Sequence, residues 1–242
     1  MAFRTLWMAL VSLYEETLPL LAANLMALAL NLPLGLAFVL IALLLPTFQD
    51  DVARQWLIGI VLWLVLFVPT PGNIALAGLT RVAAGPDVPR LGLFRMSLRA
   101  HWRIALQCTI LSVVVTGALV WNIFFYFDVG PGLLRLISIL WAYATLFWLA
   151  MHIYISPLLV HITAPRLLDV FRRAALVAIG HPGYTIMLLV LLLALGFLSV
   201  VFLPVYVLVA GAFISLTQAH ALREIRRRHG DLAVETEEEV SL

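Results

Sequence analysis

The sequence contains no lysine and a single cysteine, and these gaps narrow the chemistry that the chain can perform. Lysine and arginine together number fifteen, and all fifteen are arginine. A lone cysteine, Cys108, excludes an internal disulfide and a multi-cysteine metal site. HExxH, P-loop, G-x-S-x-G and dinucleotide-binding motifs are absent as well. We therefore predict that the chain is not an enzyme and that it binds no metal and no cofactor.

Charge is scarce, whereas apolar residues are abundant. Hydrophobic residues make up 64% of the chain, charged residues make up 12%, and the mean hydropathy is +1.07. An ordinary soluble domain is about half apolar and about a quarter charged. The composition predicts an all-α fold, a polytopic membrane helix bundle, with residues 1–230 as a single transmembrane domain. Residues 231–242 are acidic and lack aromatic side chains, so we expect a disordered cytoplasmic tail there.

Six apolar runs predict six transmembrane helices, since a helix needs about 20 residues to cross the hydrocarbon core. The uncharged stretch from Tyr184 to Ala219 would be about 54 Å long as one helix, which exceeds any bilayer core. We expect it to fold back near Leu203-Pro204. The six expected spans are 18–45, 56–80, 104–127, 133–161, 183–202 and 204–220.

With six spans, thirteen of the fifteen arginines fall on one side of the membrane. The two exceptions are Arg54 and Arg135, whose loops also carry acidic residues. The positive-inside rule then predicts that the N-terminus and the C-terminus are both cytoplasmic. The thirteen arginines on the inner side are Arg4, Arg81, Arg90, Arg95, Arg99, Arg103, Arg166, Arg172, Arg173, Arg223, Arg226, Arg227 and Arg228.

A Phe-Arg pair opens three amphipathic stretches, at Phe3-Arg4, Phe94-Arg95 and Phe171-Arg172. Two apolar spans follow each stretch. This recurrence predicts a three-fold repeat, in which each unit is an interfacial amphipathic helix followed by a transmembrane helical hairpin. The alternative is that Phe-Arg recurs by chance in a sequence rich in aromatic residues and arginine.

The second stretch carries the strongest interfacial pattern, because Phe94, Leu98 and Trp102 recur every four residues on one helical face and its arginines recur with the same spacing on the adjacent face. Such a helix lies in the membrane interface, with its rings at the acyl boundary. Each basic residue near an anionic leaflet contributes about 1 kcal/mol. The residues predicted to contact lipid headgroups or a partner protein are Arg95, Arg99, Arg103, Arg172, Arg173, Phe94, Trp102 and Phe171.

Five of the polar side chains within the expected spans are candidates for a polar lining: Asn24, Asn31, Asn73, Asn122 and His152. The simpler interpretation is hydrogen bonding between helices, worth about 0.6–2 kcal/mol each. The more specific interpretation is that these side chains line a pathway or pocket for a solute. No acidic residue lies in the interior of a span, which disfavours an ion-coupled pump.

Several short motifs in the first half of the chain, most of them between Pro71 and Leu106, resemble those of a known family. They are Asn24-Leu25, Ala75-Leu76, Arg81, Gly85-Pro86-Asp87, Pro89 and Phe94-Arg95. With these motifs the segment from Pro71 to Leu106 resembles the YesL family, which consists of small bacterial inner-membrane proteins of unknown function. The similarity covers the first half of the chain, and the rest is similar only in hydropathy. The resemblance implies a location in the bacterial cytoplasmic membrane and a link to carbohydrate uptake.

These patterns favour a non-enzymatic accessory or scaffold protein of the cytoplasmic membrane. Its expected partners are membrane lipids with anionic headgroups and another membrane protein, such as a transporter. Nucleic acid is not expected, because the basic residues flank apolar spans. One alternative is a facilitator or channel for a small solute, in which the five polar side chains would face one cavity. Another is an intramembrane enzyme that acts on lipid, although no catalytic cluster with recognisable spacing supports it.

Overall fold

The computed structural model describes residues 2–44, 65–129, 132, 135–162, 165–202 and 206–229. This part of the chain is almost entirely helical and contains no strand. Its longer elements are α1 (Ala2–Glu15), α2 (Thr17–Leu44), α3 (Pro71–Ala83), α4 (Leu91–Val129), α5 (Arg135–His161), α6 (Leu167–Gly180), α7 (Pro182–Val201), a π-helical turn (Tyr206–Ala210) and α8 (Gly211–His229).

Three of these helices are long and apolar enough to cross a membrane, namely α2 over Thr17–Ala37, α4 and α5. Helices α6 and α7 are bent by 104° at their junction and provide a fourth candidate if the pair forms one span. The described residues thus form an all-helical protein with three to four candidate membrane spans. Six spans were expected from the sequence, and the second and sixth of them differ most from that expectation.

The outer surfaces of α4 and α5 are strongly apolar. Ile110 and Trp121 on α4 are 63% and 72% exposed, and Leu140 and Tyr143 on α5 are 67% and 71% exposed. Large exposed apolar surfaces are rare on soluble monomers and are the normal condition of a helix that faces lipid. These helices are therefore suited to a membrane, as their composition predicts.

The second expected span, 56–80, contains a break. Its residues 56–64 lie outside the described part of the chain, and the helix that includes residues 65–67 stops at Val68. Pro69 and Pro71 have no N–H groups to continue the helical hydrogen bonding. Thr70 then starts α3 as its N-cap, since its hydroxyl oxygen accepts from the Asn73 N–H at 3.1 Å. The result is a discontinuous helix instead of one straight span.

The sixth expected span, 204–220, also takes another form. Residues 203–205 lie outside the described residues, and the π-helical turn then leads into α8. Helix α8 is not among the helices that meet the length and hydropathy needed for crossing. Four arginines in its last part, at positions 223 and 226–228, lower its hydropathy. The fifth expected span, 183–202, corresponds closely to α7, which begins at Pro182.

Helix α3 is the buried centre of the fold, in contact with α2, α4, α5 and α8. Small residues allow this close packing. A Cβ atom added at Gly72 would lie 2.6 Å from the Ala27 carbonyl oxygen of α2. One added at Gly78 would collide with the side chain of Ser97 on α4. The small-residue stretch at the start of α3 thus determines how closely its neighbours approach.

The three Phe-Arg stretches do not share one local geometry. The second stretch is the beginning of α4, a continuous helix of 39 residues. The third is a separate helix, α6, which meets α7 at the 104° bend, and the first is α1, which ends just before α2. The expected separate interfacial helix before residue 104 is therefore absent. The physical reason is that the backbone between Leu93 and Thr116 contains neither glycine nor proline.

Candidate functional site

Two of the five candidate lining residues meet at the break before α3. The Nδ2 group of Asn31 on α2 donates to Oδ1 of Asn73 at 2.8 Å. The Nδ2 group of Asn73 in turn lies 2.8, 3.1 and 2.8 Å from the carbonyl oxygens of Val65, Leu66 and Val68. Asn73 therefore satisfies carbonyl groups at the break, among them that of Val65, to which Pro69 has no N–H group to donate.

The other three candidates lie apart from this pair. Asn24 is buried, and its side chain packs against Gly211 of α8. A Cβ atom added at Gly211 would collide with the Asn24 amide oxygen. Asn122 donates to the Ala118 carbonyl of its own helix at 2.7 Å. His152 joins α5 to α4 through a 3.0 Å hydrogen bond between its Nε2 atom and the Ser112 hydroxyl. The structure therefore distributes these polar groups among separate helix contacts.

The residues expected at the membrane interface divide into two groups. The five arginines at positions 95, 99, 103, 172 and 173 are exposed, and Trp102 is 46% exposed, with the Arg103 guanidinium 5.4 Å from its ring centroid.

Phe94 and Phe171 differ from the expectation of lipid contact, because both are buried in protein. Phe94 packs in a core formed with residues of α1, α2, α3 and α8. Phe171 stacks on Trp148 of α5 with ring centroids 5.4 Å apart. An apolar helical stripe packs against a neighbouring helix as readily as against lipid, and the sequence pattern does not separate the two outcomes.

A cavity of about 480 Å³ lies where the C-terminal ends of α3 and α5 meet the first turns of α4 and the later part of α8. We call it the basic cavity. Its charged and polar lining consists of Arg81, Ser97, His101, His161, Arg223, Arg226 and Asp87.

Two of these arginines are held in place by helix ends. Arg81 Nη1 donates to the Val160 carbonyl at 2.8 Å, in the last turn of α5. Arg223 Nη1 donates to the carbonyl of Ala84, the residue that caps α3. Basic side chains stabilise helix C-termini because the unpaired carbonyls there carry partial negative charge. These two hydrogen bonds hold both guanidinium groups at the cavity wall.

These guanidinium groups retain the capacity to bind an anion. Each carries five N–H donors, so one hydrogen bond to a carbonyl uses a small part of that capacity. Arg81 and Arg223 are exposed, and a solute can reach them. Three arginines face a single carboxylate, Asp87, among the charged residues of this lining. The lining is therefore positive and rich in donors, as a site for phosphate or carboxylate groups would be.

The two histidines of the lining are oriented by their own helices. His101 Nδ1 donates to the Ser97 carbonyl at 3.0 Å, and His161 Nδ1 donates to the Pro157 carbonyl at 2.7 Å. With Nδ1 as the donor, Nε2 is the acceptor in the neutral ring and a second donor in the protonated ring. Among the described residues, no group of three or more His, Cys, Asp and Glu side chains could hold a metal ion.

A second cavity, of about 650 Å³, adjoins the first and shares His161 and Arg226 with it. We call it the apolar cavity. Arg173 and His181 also line it. Its remaining walls are mainly aliphatic side chains of α5, α6 and α8: Leu158, Leu176, Val177, Leu222 and Ile225, with Ile162 just after α5.

Sequence reasoning treated Arg81, Arg223 and Arg226 as markers of topology and missed that they share a cavity. One signal pointed in this direction, since the positive-inside pattern already assigned all three to one side of the membrane. Their convergence depends on how α3, α5 and α8 pack, which the spacing of arginines does not encode.

Comparison of the chain with protein-family models, with curated proteins and with solved structures found no match.

Proposed function

We propose that this chain is a non-enzymatic accessory or scaffold protein of the bacterial cytoplasmic membrane that binds an anionic group in the basic cavity. The observation that carries the proposal is the presence of Arg81, Arg223 and Arg226 around one cavity with Asp87 as the one acidic residue of its lining. Anions bind guanidinium groups through charge-assisted hydrogen bonds that are about twice as strong as neutral ones.

The dispersal of the polar span residues supports an accessory role over a solute pathway. Asn31 and Asn73 close a helix break, His152 joins two helices, and Asn122 bonds within its own helix. The bonds of Asn31 with Asn73 and of His152 with Ser112 join different helices, and such bonds stabilise contacts between membrane helices. A facilitator would use such groups on the wall of a shared cavity, and neither the basic nor the apolar cavity is lined by them.

The proposed orientation has both termini and the basic cavity on the cytoplasmic side. The thirteen arginines that the expected spans place on one side support it. His181, just before α7, and Arg226, near the end of α8, line the same cavity, which fits a chain that leaves one membrane face and returns to it. These features favour the complete six-span arrangement.

Surface labelling tests the orientation. We would introduce Ser241→Cys in a Cys108→Ala background and treat intact cells with a membrane-impermeant maleimide. The cytoplasmic tail should react only after the cells are broken. Asp51→Cys, in a loop expected outside, is the matched control and should react in intact cells. Labelling of position 241 in intact cells would contradict the orientation.

The exposed arginines of α4 provide a surface for the anionic leaflet or for a transporter partner. Arg95, Arg99 and Arg103 are all exposed and recur every four residues along one helix face. Replacing all three with glutamine should weaken binding to liposomes that contain phosphatidylglycerol, and added salt should reduce the difference. Binding that is unchanged in the triple variant would remove this surface from the proposal.

The basic cavity is tested with inorganic phosphate as the probe and two neighbouring arginines as the comparison. Arg226 lines the cavity, whereas Arg227 is exposed on α8 and is not part of either lining. In full-length protein purified in a neutral detergent, Arg226→Gln should weaken phosphate binding by about tenfold or more, since a hydrogen bond to a charged group contributes about 1.5–3 kcal/mol.

Arg227→Gln removes the same charge from the next residue of the same helix and should change the affinity less than twofold. Isothermal titration measures both values. Equal losses in the two variants would mean that phosphate responds only to overall charge, and the cavity would then have no role in binding.

A further inference from the structure

The adjoining position of the two cavities suggests a more specific ligand than a free anion. We propose that they bind one molecule, a lipid with a terminal phosphate group, whose phosphate occupies the basic cavity and whose acyl chain occupies the apolar cavity. This inference rests on the proposed function, because it uses the same basic cavity. It adds the class of ligand and a second site of contact.

The shared residues are the first reason to assign both cavities to one molecule. His161, at the end of α5, and Arg226, on α8, each line both cavities. A ligand held by these two side chains is therefore in reach of either space. Each volume, about 480 and about 650 Å³, falls within the range of about 300–1,000 Å³ that is usual for small-molecule sites.

The two cavities differ in the balance of their linings. Arg81, Arg223 and Arg226 line the basic cavity, whereas the apolar cavity has Arg173 and Arg226 at its wall and six aliphatic side chains around the rest of it. The apolar cavity has aliphatic walls, among them the buried side chains Leu222 and Ile225. A free phosphate would gain nothing from those walls, whereas an acyl chain gains free energy with each methylene group that leaves water.

The apolar cavity also has an entry from the lipid side. Leu176 on α6 lines this cavity and is nevertheless 60% exposed, so the cavity wall continues onto the outer surface of the helix. Leu168 and Ile179 on the same helix are 77% and 63% exposed. In the proposed six-span arrangement α7 crosses the membrane, and α6, which meets it at 104°, then lies along the membrane interface with Leu168, Leu176, Ile179 and Arg172 on its exposed face. A lipid can therefore insert its chain from the leaflet without crossing water.

The test compares three probes on full-length protein in a neutral detergent: dioleoyl phosphatidic acid, dioleoyl phosphatidylcholine and glycerol 3-phosphate. Phosphatidic acid has both the terminal phosphate and the chains, whereas each of the other probes lacks one of these features. We expect phosphatidic acid to bind at least tenfold more tightly than either of them, and Arg226→Gln to remove most of that preference while Arg227→Gln keeps it.

A pair of uncharged substitutions on α6 tests the chain site separately. Leu176→Gln places a polar group on the cavity wall, and Ile179→Gln changes an equally exposed residue that is not part of that lining. Because both positions are exposed, both variants should fold. We expect Leu176→Gln to weaken phosphatidic acid binding about threefold or more without changing glycerol 3-phosphate binding, and Ile179→Gln to change neither.

The possible outcomes separate this inference from the function on which it rests. If glycerol 3-phosphate binds as tightly as phosphatidic acid, the basic cavity binds a free anion, and the lipid assignment is wrong while the proposed function stands. If phosphatidylcholine binds as tightly as phosphatidic acid, the terminal phosphate is not recognised and the assignment is again overturned. If none of the probes binds, both the inference and the anion-binding function fail.

Discussion

Replacement of Asn73 with alanine should be among the most destabilising single changes in this fold. The side chain is buried and lies at the break before α3. Pro69 cannot donate to the Val65 carbonyl as a helical residue would, and the Thr70 N–H donates to the Val68 carbonyl instead of that of Leu66. The amide of Asn73 supplies the missing donors at 2.8 to 3.1 Å.

The magnitude follows from the two N–H groups of that amide. Each buried polar group left without a partner costs about 1–3 kcal/mol, so the loss of two donors should lower the free energy of unfolding by about 2–6 kcal/mol. For a chain of this length, about 2–4 °C of Tm corresponds to each kcal/mol. We therefore expect Asn73→Ala to lower the Tm by about 4–24 °C in a neutral detergent.

Asn122→Ala is the matched control, because the side chain of Asn122 is partly exposed and donates to Ala118 of its own helix. This variant should stay within about 2 °C of the parent protein, since such a bond competes with helical bonds and adds little stability. Asn31→Ala, which removes the hydrogen bond to Asn73 Oδ1, should lie between the two. If Asn73→Ala and Asn122→Ala melt together, the break does not depend on this amide and the argument is wrong.

Three further predictions use matched positions. Gly72→Ala should lower the free energy of unfolding by about 1–3 kcal/mol, because the new Cβ atom would meet the Ala27 carbonyl. Gly117→Ala has open space around the new Cβ atom and should leave the free energy of unfolding unchanged or raise it. Chemical denaturation measures both values. Phe94→Ala should cost about 3–5 kcal/mol in the same assay, and Trp102→Ala, which is half exposed, should cost less; a reversed order would return Phe94 to the lipid interface. Asp87→Asn should tighten phosphate binding by about two- to fivefold at low salt, as measured by titration, since it removes the acidic group of the basic cavity; a weaker or salt-independent change would speak against an electrostatic site.

The continuity of α4 could have been predicted from the sequence with a different weighting of its signals. Hydropathy divides this region at residue 104, where the arginines end and the apolar run begins. The backbone responds to other features, and no glycine or proline occurs between Leu93 and Thr116 to end a helix. Where such residues do occur, at Gly180-His181-Pro182-Gly183, the structure has the expected break between α6 and α7.

The position of the break before α3 could be predicted from the sequence, whereas the hydrogen bonds that stabilise the break could not. Pro69 and Pro71 predict a kink, and Thr70 is a preferred N-cap residue. The pairing of Asn31 with Asn73 depends on α2 lying against α3 at Gly72, which is a long-range contact. The two cavities depend in the same way on the packing of five helices. Local sequence patterns therefore predict the charge of their linings and do not predict that the cavities exist.

The charge balance of the basic cavity explains why structural arginines there can still bind a ligand. Helix C-termini carry about half a negative charge each, and the ends of α3 and α5 both reach this cavity. Those two ends together carry about one negative charge, which is half of the positive charge of Arg81 and Arg223, the two arginines that donate to them. Each of these guanidinium groups has five N–H donors, and a terminal phosphate can accept from those that the carbonyls leave unused. Capping and ligand binding are therefore compatible uses of the same two side chains.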